Sequence, residues 1–312
     1  WSERYAAQPE LLAYARHVAD RFDLRRDLRL GTWVQGATFD EAAERWHVRT
    51  DAGEWTAQFL VMATGTLTAV HTPDFPGLGD FGGATYHTAR WPEDGVDFTG
   101  MRVAVVGTGS SAIQAIPIIA EEADELFVLQ RTATYSVPAH NGPLDPLADA
   151  AIKADYAGLR ARDRRMPGGF GSRFGWSDRS ALTASDEERE AEFERRWQIG
   201  GFALLGAFAD LLTDPRANEY ASEFVRRKIR ATVDDPETAE LLCPSQPIGC
   251  KRMCLDTGYY ETYNRDNVTL VDIRGKEVGL DESGVVVDGE GYELDAVSFA
   301  AGFVPFPVAL PP

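Results

Sequence analysis

Apolar positions fall into short runs closed by glycine or charge, and the same order of runs occurs twice. Residues 27–34 (DLRLGTWV) read as a strand, 45–49 (RWHVR) as one side of a hairpin, and 59–65 (FLVMATG) as a buried strand ending in glycine. At the far end, residues 267–272, 284–287 and 294–302 repeat strand, hairpin and glycine-terminated strand. Repetition at this separation predicts two related dinucleotide-binding domains. Ahead of the second copy, residues 102–113 (RVAVVGTGSSAI) give a short apolar strand, a G-x-G-x-x-A loop and the start of a helix. Only a helix at 8–22 precedes the first copy, with Leu11, Leu12, Ala15, Val18 and Ala19 on one face. The strand, loop and helix that open such a domain are therefore expected to be lost with the N-terminus. A start at Trp1 and an end at Pro311 and Pro312 suggest a fragment.

A charged stretch with helical spacing is inserted into the second copy. Ser185 to Glu188 reads as a capping box ahead of Phe193 and Trp197, which share a helix face. Residues 168–175, rich in glycine, read as a loop, and the Glu/Arg stretches as a solvated face. The expected fold is α/β: two Rossmann-like domains of the glutathione-reductase type, the first incomplete, with a helical insertion. The boundaries read as a partial first dinucleotide-binding domain 1–71, a linker 72–98, a second such domain in two halves (99–143 and 249–303) around an insertion 144–248, and a return segment 304–312.

A formal charge of -18 excludes a nucleic-acid or anionic-membrane surface, so a phosphate-bearing cofactor must be met by a few local cations. No apolar run reaches the length of a membrane span and no leader opens the chain, so the protein reads as cytoplasmic. Cys243, Cys250 and Cys254 fit no zinc spacing and no C-x-x-C pair, which leaves free thiols and excludes a flavin disulfide reductase.

The G-x-G-x-x-A loop has a mechanical reading. Gly107 permits the tight turn, Gly109 lets the backbone approach a pyrophosphate, and Ala112 allows close packing of helix on strand. Thr108, Ser110, Ser111 and Gln114 complete the cradle at the helix N-terminus. The next strand ends in Arg131 and Thr132, where an NAD-selective protein carries an acidic residue for the ribose 2′-hydroxyl. Arginine there suits a 2′-phosphate and predicts NADPH.

Residues 81–92 (FGGATYHTARWP) satisfy F-x-G-x-x-x-H-x-x-x-W-P through Phe81, Gly83, His87, Trp91 and Pro92. The pattern resembles the fingerprint of type I Baeyer–Villiger monooxygenases, in the place where that family carries it. The resemblance, closest to the cyclohexanone monooxygenase group, extends through residues 5–10, 20–26, 107–114, 130–138 and 249–272. Ala301 departs from it, standing where the family usually has threonine. The resemblance implies FAD and NADPH as cofactors and a ketone and O2 as substrates. It implies a flavin C4a-peroxide that inserts oxygen next to the carbonyl. It places His87 in a structural or gating role, Trp91 as a packed anchor, and Lys251 with Arg131 and Thr132 at the 2′-phosphate. Arg252 would face the flavin as the catalytic cation. A guanidinium about 4 Å from a peroxide anion stabilises it by roughly 4 kcal/mol at an effective dielectric near 20. Val34, Ala63, Thr64 and Gly65 are the residues left to meet FAD. Two other readings stay open: a flavin N- or S-monooxygenase, and an NADPH-binding fragment without activity.

Overall fold

The computed structural model describes residues 1–65, 67, 69–166 and 174–303. Most of the glycine-rich stretch 168–175, and all of 304–312, lie outside the described residues. Those described fall into two units, one within Trp1–Thr68 and Gly142–Pro146, the other within Ala69–Asn141 and Leu147–Val304.

The small unit holds helix α1 (Gln8–Arg21) and an antiparallel meander of β1 (Val34–Asp40), β2 (Arg45–Thr50) and β3 (Gly53–Ala57). Phe39 lies opposite Trp46 across the first ladder, with ring centroids 5.3 Å apart. Two strands expected from the apolar runs do not form. Residues 24–27 make a 3-10 turn and the strand begins only at Val34, while 58–65 carry no ladder and expose Phe59 and Val61 at 78% and 83%. The reason is pairing: a meander supplies its own partners through short turns, whereas a parallel strand needs a neighbour from distant chain. Among the described residues of this unit none fills that place. The apolar face of α1 forms too, but Leu11, Leu12 and Ala15 are exposed.

The large unit is built on β4 (Ala84–His87), β5 (Arg102–Val106), α2 (Ser110–Glu122) and β6 (Glu125–Gln130). After β7 (Ser136–Pro138) come the helices α3 (Pro146–Ala154), α4 (Tyr156–Asp163), α5 (Asp186–Ile199), α6 (Pro215–Thr232) and α7 (Pro236–Leu242). The chain returns through β8 (Cys254–Asp256), β9 (Val268–Asp272), the meander β10 (Val278–Leu280), β11 (Gly284–Val287) and β12 (Glu290–Glu293), and β13 (Ala296–Phe299). Five strands form one parallel sheet in the order β4-β13-β5-β6-β9.

The unbroken apolar run of β5 follows from burial on both faces. Val103 and Val105 pack with Ile113, Ile116 and Ile119 of α2, while Ala104 and Val106 pack with Val285 and Val287 of the second meander. Each buried isoleucine of α2 contributes about 1.5–3 kcal/mol relative to exposure. Ile118, between them in sequence, points outward.

In the inserted helices, Ser185 and Glu188 make the capping box of α5. Phe193 is buried against Phe208 and Phe224, and Trp197 meets Phe224 edge-on. The charge read as a solvated face is partly spent between helices, where Arg227 and Lys228 of α6 pair with Glu190 and Glu194 of α5. Such half-exposed pairs stabilise by no more than about 1 kcal/mol each. The aromatic seam beneath them supplies the larger share.

Candidate functional site

The site lies at the carboxyl ends of β5 and β6, where an open α/β sheet offers its crevice. Gly107 ends β5 with φ +111°, a conformation L side chains rarely adopt, and a Cβ there would lie 3.0 Å from the Ala300 carbonyl oxygen. That close approach is real packing: the Ala300 N–H donates to Val106 at 3.0 Å and the Gly107 N–H to Leu129 at 3.0 Å. Gly109 then caps α2 without a side-chain bond, so the first N–H groups of the helix are left for a ligand. Ala112 is fully buried under the sheet, and Gln114 donates back to the Ser110 carbonyl at 2.8 Å.

Two hydroxyls of the loop are bonded within the protein, that of Thr108 buried and that of Ser110 on an exposed residue. Thr108 Oγ1 donates to the Thr132 carbonyl at 2.8 Å, and Ser110 Oγ lies 3.2 Å from Cys254 Sγ. Burial pushes the Cys254 thiol above its ordinary value, Ser110 opposing, so it stays protonated near neutral pH. Composition had shown Cys254 only as one of three free thiols. Its place in the loop depends on β7 and β8 pairing, with Cys254 opposite Ser136. Burial likewise raises the Asp256 carboxyl, which accepts a hydrogen bond from the Ser136 hydroxyl.

Three cations border this loop. Arg131 follows β6 directly and precedes Thr132, the partner of Thr108; Lys251 and Arg252 precede Cys254, the partner of Ser110. All three are exposed, and none makes an ion pair or side-chain hydrogen bond among the described residues. Most other arginines of the unit are paired, as Arg102 is with Glu293 and Asp295 and Arg230 with Glu223 and Glu240. An open helix N-terminus beside three unspent cations fits a dinucleotide with an extra phosphate. A cleft of about 500 Å³ runs along the side of α2, between Ser111, Gln114 and Ile118 on one wall and Trp91, Val96 and Phe98 on the other.

The fingerprint residues form the edge of the sheet. Phe81 packs against the core on the meander side. Gly83 leaves room for the Asp295 carbonyl, which accepts from the Ala84 N–H at 2.9 Å. His87 is buried; its Nδ1 accepts from the Ala89 N–H and its Nε2 lies against the His71 carbonyl, both at 3.0 Å. Accepting at Nδ1 leaves the proton on Nε2, so the ring donates to His71. The His71 N–H in turn donates to Gly302 at 3.2 Å, beside the bridge of Val70 with Phe303. His87 thus clamps the two passages of the chain at the margin of the unit. Trp91 packs tilted against Tyr86 and Phe98, 5.8 and 6.0 Å between centroids, with its outer part exposed, and Pro92 is exposed. His87→Ala is expected to cost about 1 kcal/mol by removing two hydrogen bonds to backbone groups that water can partly reach. An unchanged thermal midpoint would remove the clamp.

Val34, Ala63, Thr64 and Gly65 belong to the small unit, and all four are exposed. Val34 opens β1 opposite Thr50, while the other three lie in the stretch without a ladder. The described residues of this unit do not by themselves build a flavin cradle.

With this geometry in hand, comparison with known proteins is informative. The family model described as pyridine nucleotide-disulphide oxidoreductase matches residues 1–154. The chain is 43% identical over 308 residues to a Baeyer-Villiger monooxygenase of Pseudooceanicola batsensis, covering 97% of this chain and 56% of the relative. It is 40% identical over 310 residues to a phenazine N-monooxygenase of Lysobacter antibioticus, with coverages of 97% and 56%. A solved oxidized steroid monooxygenase bound to NADP superposes with a TM-score of 0.93 at 56% identity, covering 97% of this chain and 58% of that one. The chain therefore spans a little over half the length of the proteins it matches. By its fingerprint, its fold and these likenesses, nearly the whole of the chain resembles the type I Baeyer–Villiger monooxygenases.

Proposed function

We propose that this chain is the NADPH-binding portion of an FAD- and NADPH-dependent monooxygenase that inserts one atom of O2 beside a ketone carbonyl, forming an ester or lactone. The observation that carries the reading is that the segments bearing Arg131, Lys251 and Arg252, exposed and unpaired among the described residues, are hydrogen-bonded to the G-x-G-x-x-A loop through Thr132 and Cys254. In this reading the N–H groups behind Gly107 and Gly109 hold the pyrophosphate, with Thr108, Ser110, Ser111 and Gln114 shaping the loop. Arg131, Thr132 and Lys251 hold the 2′-phosphate. Arg252 is the catalytic residue: a cation that never releases its proton, set to hold negative charge at the reacting centre. When bound, NADPH supplies the hydride and FAD the activation of O2. Residues of this chain orient and neutralise; His87 and Trp91 hold the margin of the unit in place.

For the chain alone we infer NADP binding without turnover, because its flavin-side residues are exposed. The purified chain is expected to show no flavin absorbance, and a stable yellow complex would overturn that inference. Completed as a chimera with the remaining segments of the Pseudooceanicola relative, it is expected to convert a cyclic ketone to a lactone. The Lysobacter relative's name supports a second reading, nitrogen oxidation. Oxidation of phenazine with no lactone from the ketone would favour it.

A further inference from the structure

The hydroxyls of Thr108 and Ser110 are both engaged within the protein. Thr108 is 5% exposed and its single hydroxyl proton goes to the Thr132 carbonyl, so it cannot also donate to a phosphate. Ser110 Oγ is engaged with the buried Cys254 thiol. A third bond, from the Cys254 N–H to the Tyr135 carbonyl at 2.9 Å, joins the two partner segments. These bonds close a triangle whose corners are the phosphate loop, the segment behind Arg131 and the segment behind Lys251 and Arg252.

We propose that Thr108 and Cys254 are positioning residues that set the cofactor preference, by holding the phosphate loop at a fixed offset from the cations. The proposal rests on the reading of Arg131 and Lys251 as a 2′-phosphate site. The adenosine of such a cofactor carries its 5′-phosphate and 2′-phosphate at a covalently limited separation. A loop at the wrong offset can satisfy one phosphate only by releasing the other. Thr108 acts through Thr132 and Cys254 through Ser110; neither needs to touch the ligand.

The test uses the purified chain and two probes that differ only in the phosphate at issue, 2′,5′-ADP and 5′-AMP, titrated by calorimetry. The wild-type chain should prefer 2′,5′-ADP by roughly a hundredfold or more, as two charge-assisted bonds imply. Thr108→Val and Cys254→Ala should each cut that preference about threefold to tenfold, and the pair should nearly abolish it. Thr108→Ser and Cys254→Ser keep a hydroxyl at each bridge and should restore the preference, which also controls for folding damage. A purely structural role would shift the melting temperature and weaken both probes equally, leaving their ratio intact; that result overturns the proposal. If the wild-type chain does not distinguish the probes, the 2′-phosphate reading itself falls. If it distinguishes them and the variants do so equally well, only the positioning role falls.

Discussion

Replacing Arg131 and Lys251 together with alanine should raise the dissociation constant for NADP+ by roughly a hundredfold or more, since each charge-assisted hydrogen bond is worth about 1.5–3 kcal/mol. NAD+ should bind the variant within about threefold of the wild-type chain, because its 2′-hydroxyl has no use for either cation. The expectation is large because both side chains are unpaired among the described residues: no ion pair there must be broken before they engage a phosphate. Their loss also leaves no buried partner stranded, so the fold should be unaffected. Raised salt should weaken NADP+ more than NAD+, the exposed cations being open to screening. Equal loss of both dinucleotides would instead point to damage in the loop.

Gly83→Ala should destabilise the large unit by about 3 kcal/mol, the upper part of the range for forcing a methyl into a filled space. The added Cβ would lie 2.4 Å from the Phe81 ring and 2.5 Å from the Asp295 carbonyl oxygen. The ring can swing aside. The carbonyl cannot withdraw without losing the Ala84 N–H, and Asp295 is held further by Arg102, which donates to its carboxylate through both backbone and side chain. In a unit of this size the thermal midpoint should fall by roughly 6–12 °C, at about 2–4 °C per kcal/mol. A midpoint within a degree of wild type would show that β4 can shift freely, and would remove the steric reason for glycine at this fingerprint position.

Local pattern carried the parts of this protein whose physics is local. The capping box at Ser185, the β5-loop-α2 turn and both hairpins were legible because caps, tight turns and meanders find their partners within a few residues. The apolar runs at 28–33 and 59–65 were legible as hydrophobic but not as exposed, since a run of apolar residues states only a preference for burial. The Glu/Arg pattern of α5 did not reveal α6 as its partner, because sequence spacing shows neighbours on one helix and not across two.

The same division holds at the site. Sequence alone determined the dinucleotide loop, the cationic residues, the fingerprint and the family resemblance, because these rest on residue type at fixed short spacing. The tertiary structure supplied the hydrogen bonds that hold the segment after Arg131 and the segment after Lys251 and Arg252, more than a hundred residues apart, against the same loop. It alone decided that Thr108 and Ser110 bond to Thr132 and Cys254, and that His87 is spent on the His71 carbonyl. Which atom a hydroxyl, thiol or imidazole faces depends on segments brought together by sheet order, and a linear pattern does not encode that order.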